Sequence, residues 1–317
     1  MKLLVELASY EYVRPNTMEE ILSFLNTHGT ESKLIAGGTD LVPMLHETGR
    51  MSRYVVDLWG VREGLDNVAS DGDFLRIGAL TTLATVSRLA IPDCSAASLS
   101  VLSEAAGQMG CKETRNLGTV GGNLAAAVPS ADMAPPLLAL DAVARLQNAT
   151  NTRDVPVEKV FVGPKQSCIK PNEILTRITV PMPNHRTAAA FEKFGRRRAM
   201  SLAVVNVAVK LERIEGECSA CAVPTVRNAR IALGAVAPTP VRVYDAELWL
   251  EGKVLTDTAI SEVSSMCVRQ ARPISDIRAS ESYRRHLVKV LVERALYRVR
   301  DRLMKDAGSL EGQGKGM

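Results

Sequence analysis

The sequence predicts an α+β protein with two domains. Its 317 residues exceed the length of a typical single domain and are enough to bury a sizeable core. Short apolar segments of strand character alternate with helical segments as far as residue 182, and longer strands followed by helices come after it. The segment Pro181–Asn184 separates the two patterns, because its prolines exclude regular structure. We therefore expect a first domain of residues 1–182, a second domain of residues 183–305 and a flexible polar tail of residues 306–317.

The first domain is predicted to be a mixture of short strands and helices. A helix is predicted over residues 16–28, because its apolar residues recur at helical spacing, Asn16 or Thr17 can cap its start and Gly29 can end it. The other predicted elements are strands at Lys33–Ala36, Tyr54–Leu58 and Phe74–Gly78, helices over residues 81–90 and 97–109, and short strands separated by turns over residues 143–181.

The second domain is predicted to be an antiparallel sheet followed by helices. Ala203–Leu211 and Val226–Gly234 have the composition of strands. The last helix, predicted over Ala279–Lys305, has an apolar side and a basic side. Its basic residues are Arg284, Arg285, Lys289, Arg298 and Arg302. A basic helix face is usually solvated, so we do not expect nucleic-acid binding here.

Composition indicates a globular protein. Hydrophobic residues make up 46% of the chain and charged residues 23%, and the net charge of +4 is too small to indicate a nucleic-acid partner. Glu6 interrupts the apolar run at the amino terminus before the core of a secretory signal could form. No apolar segment approaches about 18 residues, the length that a membrane span needs. We therefore expect a cytoplasmic protein with no membrane span.

The cysteines and histidines do not form a recognisable metal site. The six cysteines are sparse, and we expect them to be reduced thiols. Cys218 and Cys221 form a single C-x-x-C, which could be half of a zinc or iron–sulfur site or a redox pair, but which we interpret as two loop thiols. The four histidines occur singly. We predict no metal ligands and no catalytic residues in this chain.

Two glycine pairs are the most informative feature for function. One lies in Ala36-Gly37-Gly38-Thr39-Asp40, after a predicted strand, and the other in Thr119-Val120-Gly121-Gly122-Asn123. Paired glycines let backbone N–H groups turn toward an anion with no Cβ in the way. The simpler interpretation of each pair is an ordinary tight turn.

The residues around the pairs favour the first interpretation. The string RNLGTVGGNLAAAVPSADMAPPLLALDA at residues 115–142 resembles the flavin-binding signature of the medium subunits of molybdenum hydroxylases, the family of xanthine dehydrogenase and carbon monoxide dehydrogenase. Further similar segments follow the order expected for the family and cover nearly the whole chain. They are KLIAGGTDLVPML at 33–45, PNEILTRITVP at 171–181, FEKFGRRRAMSLAVVNVAV at 191–209 and RIALGAVAPTPVR at 230–242.

The resemblance implies a fold and a cofactor. The fold is the two-part FAD-binding fold of the vanillyl-alcohol-oxidase (PCMH) type, with lobes of about residues 1–55 and 56–182, followed by a small α+β domain. The cofactor is FAD. The cofactor-binding residues that it implies are Lys33, Leu34, Ile35, Ala36, Gly37, Gly38, Thr39, Asp40, Thr119, Val120, Gly121, Gly122, Asn123, Asp132, Leu175 and Lys193.

The resemblance also implies a role for most of these residues. Backbone amides of Ala36 to Thr39, with those of Thr119, Gly121 and Gly122, would hold the pyrophosphate, and the hydroxyls of Thr39 and Thr119 could add hydrogen bonds. Asn123 and Asp132 would bind ribose or ribityl hydroxyls. Asp132 could instead be the N-cap of the segment from Met133 to Leu140. The residues implied to line the flavin are Lys33, Leu175 and Lys193.

The sequence departs from the family pattern at one motif near the flavin. Many family members have Asp-Ile-Ala where this chain has Ser201-Leu202-Ala203, which puts an acidic contact near the flavin ring in doubt.

The function that the resemblance implies is electron transfer in a complex. The partners would be a large molybdopterin-binding subunit and a small subunit with two [2Fe–2S] clusters, and electrons would leave through FAD to NAD⁺ or another acceptor. Two alternatives are a self-contained FAD-dependent oxidoreductase and an interaction subunit that kept the fold without FAD. The hydroxylated substrate would bind to another chain, so this sequence does not identify it.

Overall fold

A computed structural model describes residues 9–49, 52–89, 96–197, 199–214 and 223–313, without the side chains of residues 96, 97 and 306–313. The first elements are β1 (Glu11–Val13), α1 (Met18–His28), β2 (Ser32–Ile35), α2 (Leu41–Thr48), β3 (Tyr54–Asp57), a 3₁₀ turn (Leu58–Val61) and α3 (Arg62–Leu65). The three strands form a parallel sheet in the order β1-β3-β2. Thr17 caps α1, because its hydroxyl accepts a hydrogen bond from the amide of Glu20 at 3.2 Å.

The first lobe has a small core of its own. The core joins the apolar side of α1 to Leu58, Val61 and Leu65, which lie past residue 55, the predicted end of the lobe. Leu80 and Ile174, from the part of the chain that follows, complete it. The two lobes therefore share apolar contacts at their junction.

The second lobe surrounds an antiparallel sheet. Its strands are β4 (Val68–Ser70), β5 (Phe74–Gly78), β6 (Val143–Gln147), β7 (Thr152–Pro156), β8 (Phe161–Gly163), β9 (Gln166–Ser167) and β10 (Ile174–Pro181), and its helices are α4 (Leu83–Ser87), α5 (Ala96–Gly107), α6 (Lys112–Leu117), α7 (Val120–Ala125) and α8 (Ala134–Ala139). The order of the main sheet is β4-β5-β10-β6-β7, and β8 pairs with β9 alone. The helices and the sheet bury one large apolar core between them.

The second domain is an antiparallel sheet covered by helices, as the sequence predicts. Its elements are β11 (Thr187–Gly195), β12 (Ala203–Arg213), β13 (Thr225–Gly234), β14 (Val241–Arg242), α9 (Tyr244–Leu250), β15 (Lys253–Val254), α10 (Asp257–Gln270) and α11 (Glu281–Gln313). The strand order is β11-β12-β13-β14, and β15 pairs with β13. The last helix runs past residue 305, where the flexible tail is predicted to begin.

Both faces of this sheet are buried. Alternate residues such as Phe191, Ala208 and Ala232 belong to the core of the second lobe. Their neighbours, such as Val207 and Ile231, belong to the core that the sheet forms with the helices of the second domain. This double burial explains why β12 is apolar almost throughout instead of alternating.

An ion cluster joins the two domains beside α8. Asp141 follows this helix, and its carboxylate lies 3.3 Å from the Lys210 ammonium and 2.9 Å from the guanidinium groups of Arg230 and Arg242. Burial alone would raise the pKa of Asp141, but the three cations hold it below its usual range. Asp141 therefore ties β12, β13 and β14 to the second lobe.

A second cluster corrects the prediction of a solvated basic face on the last helix. Arg298 and Arg302 of α11 both pair with Glu104 of α5, and Arg298 also lies 2.6 Å from Glu192. Arg284 is only 4% exposed and donates to the carbonyl oxygens of Val204 and Ala235. The contacts of Arg298 and Arg302 with Glu104 join the second domain to the second lobe, whereas Arg284 binds within the second domain. No helix in the described part of the chain is long and apolar enough to cross a membrane.

Candidate functional site

The two glycine loops lie against each other at the junction of the lobes. A Cβ on Gly37 would overlap the carbonyl oxygen of Leu117, so the backbones of the two loops are in contact there. A Cβ on Gly118 would lie 3.3 Å from the Thr39 hydroxyl. Glycine is required at position 37 because only a residue without a side chain permits this approach.

The first loop presents free amides. Gly38 has a φ of +67°, in the left-handed region that favours glycine. The backbone N–H groups from Ala36 to Asp40 donate to no acceptor in the described part of the chain. They precede α2, whose first turn contains no acidic residue and whose N-cap, Asp40, makes no side-chain cap. The positive end of a helix beside free amides is a favourable place for an anion.

The second loop uses its amides within the chain. Val120 donates to the carbonyl of Thr81 at 3.0 Å and Gly121 to that of Ala79 at 2.9 Å. Gly122 donates to the hydroxyl of Thr119 at 3.0 Å. The structure thus differs from the prediction that the Gly121 and Gly122 amides and the Thr119 hydroxyl all face a phosphate. The physical reason is that the Thr119 hydroxyl is the N-cap of α7, and the carbonyls of Thr81 and Ala79 lie against the start of this helix.

The two glycines of the second loop are required to different degrees. A Cβ on Gly121 would lie 2.6 Å from the carbonyl oxygen of Ala79, so this glycine is needed for packing. Gly122 is exposed, its φ is not positive, and a Cβ there would meet only the Thr119 hydroxyl at 2.9 Å. Gly122 therefore leaves an open surface at the start of α7.

Asp132 is a buried member of an ion pair. Its carboxylate lies 2.6 Å from the Lys193 ammonium and accepts a hydrogen bond from the Asn206 amide at 2.8 Å. Burial raises the pKa of Asp132, while Lys193 and Asn206 act in the opposite direction. The carboxylate does not cap α8, which begins after Met133 without a side-chain cap. Both carboxylate oxygens are thus already engaged, which differs from the two predicted roles of ribose ligand and helix cap.

Asn206 is a residue that the sequence analysis did not identify. It is fully buried, and a Cβ on Gly234 would overlap its side-chain oxygen. The sequence offered one indication of Asn206, because Asn206 and Gly234 lie in the two second-domain segments that resemble the family. The strands β12 and β13 bring these two residues opposite each other in the sheet.

Lys193 lies at the wall of a pocket between the domains. Its ammonium also donates to the backbone carbonyl of Gln108 at 3.1 Å, and its side chain is only 5% exposed. The pocket has a volume of about 340 Å³. The residues that line it are Gln108, Lys193, Phe194, Gly195, Arg197 and Ser201. The Ser201 hydroxyl accepts from the amide of Arg196 at 3.0 Å, so a neutral group stands where many family members have Asp.

Contacts connect this pocket to the glycine loops. The side-chain oxygen of Asn123, in the second loop, accepts a hydrogen bond from the amide of Met133 at 3.3 Å. Met133 follows Asp132, which pairs with Lys193. A chain of contacts through the second loop and the buried ion pair therefore links the first loop to the pocket.

The remaining predicted site residues differ in their exposure. Lys33 is exposed on β2, and Leu34 packs against the core of the first lobe. Ile35 lies beside Gly38, 3.4 Å from where a Cβ of that glycine would be. Leu175 is only 6% exposed and belongs to the core of the second lobe, so we expect no contact from its side chain to a ligand.

The cysteines give no further site in the described part of the chain. Cys111, Cys168 and Cys267 are free thiols, and no group of three potential metal ligands occurs among the described residues. Cys94, Cys218 and Cys221 lie outside these residues. The interpretation of the C-x-x-C as two loop thiols stays a prediction.

Two family models match this chain. Residues 8–183 match the FAD binding domain in molybdopterin dehydrogenase, and residues 189–299 match the CO dehydrogenase flavoprotein C-terminal domain. The first match alone covers more than half of the chain.

Individual proteins are similar over most of their length. The 6-hydroxypseudooxynicotine dehydrogenase complex subunit alpha of Paenarthrobacter nicotinovorans is 34% identical, over 91% of this chain and 93% of that protein. The xanthine dehydrogenase FAD-binding subunit of Escherichia coli O157:H7 is 29% identical, over 90% of this chain and 94% of that protein.

A solved structure of carbon monoxide dehydrogenase from Hydrogenophaga pseudoflava superposes with a TM-score of 0.85 at 29% identity, covering 94% of this chain and 99% of the matched chain. These matches confirm the resemblance and the fold class that it implies. The chain belongs to the FAD-binding medium subunits of the molybdenum hydroxylases, and it is therefore a subunit of an oxidoreductase.

Proposed function

We propose that the chain holds FAD with its pyrophosphate on the free amides of the first glycine loop. The observation that carries this proposal is the run of N–H groups from Ala36 to Asp40, which have no acceptor in the described part of the chain and precede α2. The exposed surface at Gly122 and the side chain of Asn123 would complete the site from the second loop. Thr39 is exposed beside the loop contact, and its hydroxyl is placed to add a donor.

The residues present fit this cofactor. A dinucleotide needs donors for an anion, a close approach of backbone to phosphate and a partly enclosed pocket for its ring system. The first loop supplies the donors, Gly122 leaves room, and the pocket beside Lys193 supplies the enclosure. When bound, FAD supplies the chemistry of hydride and single-electron transfer.

Lys193 and Asp132 have a positioning role in this proposal. Asp132 and the carbonyl of Gln108 fix the Lys193 ammonium at the wall of the pocket. Asn206 keeps the Asp132 carboxylate in place from the second domain.

We further propose that the chain works in a complex and passes electrons from iron–sulfur clusters to NAD⁺ or another acceptor, with FAD as its redox group. Its partners would be a large molybdopterin-binding subunit and a small subunit with two [2Fe–2S] clusters. The support is that the relatives are named as the subunit of a dehydrogenase complex and as an FAD-binding subunit. The matched carbon monoxide dehydrogenase is described as lacking the Mo-pyranopterin moiety of its molybdenum cofactor. The division into domains at residue 182 is part of the same proposal.

Anaerobic reduction of the flavin tests the electron-transfer role. The isolated chain, loaded with FAD, is mixed with purines, aldehydes or N-heterocycles, and the flavin absorbance is followed. We expect no bleaching until the molybdenum and iron–sulfur subunits are added, because the oxidation of substrate belongs to another chain. Rapid bleaching by an organic substrate with this chain alone would instead show a self-contained oxidoreductase.

A further inference from the structure

Trp59 makes a contact with the first glycine loop that the function described so far does not use. It lies in the 3₁₀ turn directly after β3, and its indole N–H donates to the carbonyl oxygen of Ala36 at 2.8 Å. The Arg62 guanidinium covers the indole ring, 4.6 Å from its centroid. This hydrogen bond reaches the last residue before the glycine pair.

The backbone of Trp59 is itself held in place. Its amide donates to the Asp57 carboxylate at 3.0 Å, and the hydroxyl of Tyr12 donates to the other oxygen of the same carboxylate. Asp57 is 5% exposed and lies opposite Ile35 in the parallel pairing of β2 and β3. The indole therefore projects from a rigid point of the sheet toward the loop.

The contact fixes the direction of one amide. The carbonyl of Ala36 and the N–H of Gly37 belong to the same peptide group, and in a trans peptide the two point in opposite directions. Binding the carbonyl on the Trp59 side therefore sends the Gly37 N–H to the other side. Rotation of this peptide changes ψ of Ala36 and φ of Gly37, and glycine at position 37 makes it easy; a rotated peptide would present a carbonyl oxygen to an anion.

We propose that Trp59 is a positioning residue for the pyrophosphate of FAD, and that its indole N–H holds the Ala36–Gly37 peptide with the amide toward the anion. This inference rests on the proposed placement of FAD on the first loop. It predicts that the indole N–H matters for ligands with a pyrophosphate and not for the flavin ring alone.

The test compares two substitutions in the full-length chain. Trp59→Phe keeps an aromatic ring beside Arg62 and removes the N–H. Trp249→Phe is the matched control, because Trp249 is the only other tryptophan and also lies under a cation, that of Lys253 at 4.6 Å. The apo proteins are titrated with FAD and with riboflavin, which lacks the phosphates, and their melting temperatures are measured.

We expect the Kd for FAD to rise about five- to tenfold in Trp59→Phe, the effect of one lost hydrogen bond, with riboflavin binding unchanged. Trp249→Phe should change neither. Unchanged FAD affinity in Trp59→Phe would overturn the inference, and so would an equal loss of FAD and riboflavin affinity, which indicates general damage to the fold. If the unsubstituted chain binds FAD no more tightly than riboflavin, the placement of the pyrophosphate is wrong and the role of Trp59 falls with it.

A second measurement does not depend on how well Trp59→Phe folds. In Trp249→Phe, Trp59 is the only tryptophan, so its fluorescence reports on the first loop. ADP carries the pyrophosphate without the flavin ring, and saturating ADP should change the emission of Trp59. An emission spectrum that ADP leaves unchanged would contradict the proposal.

Discussion

The two glycine loops look alike in sequence but have different hydrogen bonding in the structure. The amides of the first loop have no acceptor among the described residues, whereas Val120, Gly121 and Gly122 donate to groups within the chain. The difference depends on which acceptors lie beside each loop, although the next helix also begins at a different place. α2 begins at Leu41, after the first glycine pair, and α7 begins at Val120, before the second pair. The first N–H groups of a helix have no partner within it, so the amides of the second loop depend on the carbonyls of Thr81 and Ala79 and on the Thr119 hydroxyl.

Each loop nevertheless contains one glycine that packing requires. Gly37 lies against the carbonyl of Leu117 and Gly121 against that of Ala79. The other members of the pairs differ, because Gly38 needs its left-handed φ and Gly122 does not have one. This comparison predicts four effects of decreasing size.

The largest effect is expected at the contact between the loops. In Gly37→Ala the new methyl group would overlap the backbone of Leu117 and push the loops apart. We expect a loss of FAD affinity of about 3 kcal/mol, or roughly a hundredfold. Flavin content per protein and the melting temperature measure it. Gly64→Ala is the control, since a Cβ at Gly64 has no atom within 4 Å; an equal loss of flavin in both variants would speak against the contact.

Asp132→Asn tests how much the buried ion pair of Asp132 and Lys193 contributes to the stability of the protein. The change keeps the shape of the side chain but leaves the Lys193 ammonium, 5% exposed, without its counter-charge. We expect the free energy of unfolding to fall by about 3 kcal/mol, measured by denaturant titration. Asp154→Asn removes the partner of Arg145 from a half-exposed pair and should cost less than about 1 kcal/mol. Similar losses in the two variants would show that burial does not set the strength of the Asp132 pair.

Matched alanine substitutions separate the two loops directly. Gly38→Ala places a side chain at a φ of +67°, which costs about 1–2 kcal/mol and should lower both stability and FAD affinity. Gly122→Ala should leave the melting temperature unchanged or raise it slightly, because Gly122 is already helical. Calorimetry with and without FAD measures both effects. Greater destabilisation by Gly122→Ala than by Gly38→Ala would contradict the conclusion that only Gly38 needs to be glycine for its backbone conformation.

The smallest effects are expected at the two threonines. Thr119→Val removes the N-cap of α7 and should cost about 1 kcal/mol of stability with little change in FAD affinity. Thr39→Val removes an exposed hydroxyl and should lower FAD affinity by about 1 kcal/mol without loss of stability. Thermal unfolding and FAD titration of both variants test whether Thr119 contributes to stability and Thr39 to FAD binding. If Thr119→Val is the variant that weakens FAD binding, the second loop binds phosphate after all.

Local sequence features were enough to predict much of the fold. The helix start at Thr17 and the left-handed turn at Gly38 both depend on neighbouring residues. The partners of the site residues could not be predicted in this way. Asp132 meets Lys193 and Asn206 from 61 and 74 positions away, and a periodic pattern does not record such contacts. The basic side of α11 was misinterpreted for the same reason, because Glu104 lies about 200 positions before Arg302.

The sheet of the second domain has a consequence for how this protein is made. Phe191, Ala208 and Ala232 complete the core of the second lobe, and the ribosome adds them after all of the residues that form the glycine loops. Domains generally fold in the order of their synthesis. We expect the core of the second lobe to be completed only after β11, β12 and β13 have emerged. We therefore expect loading of the cofactor during translation to wait until β13, which ends at Gly234, has left the ribosome.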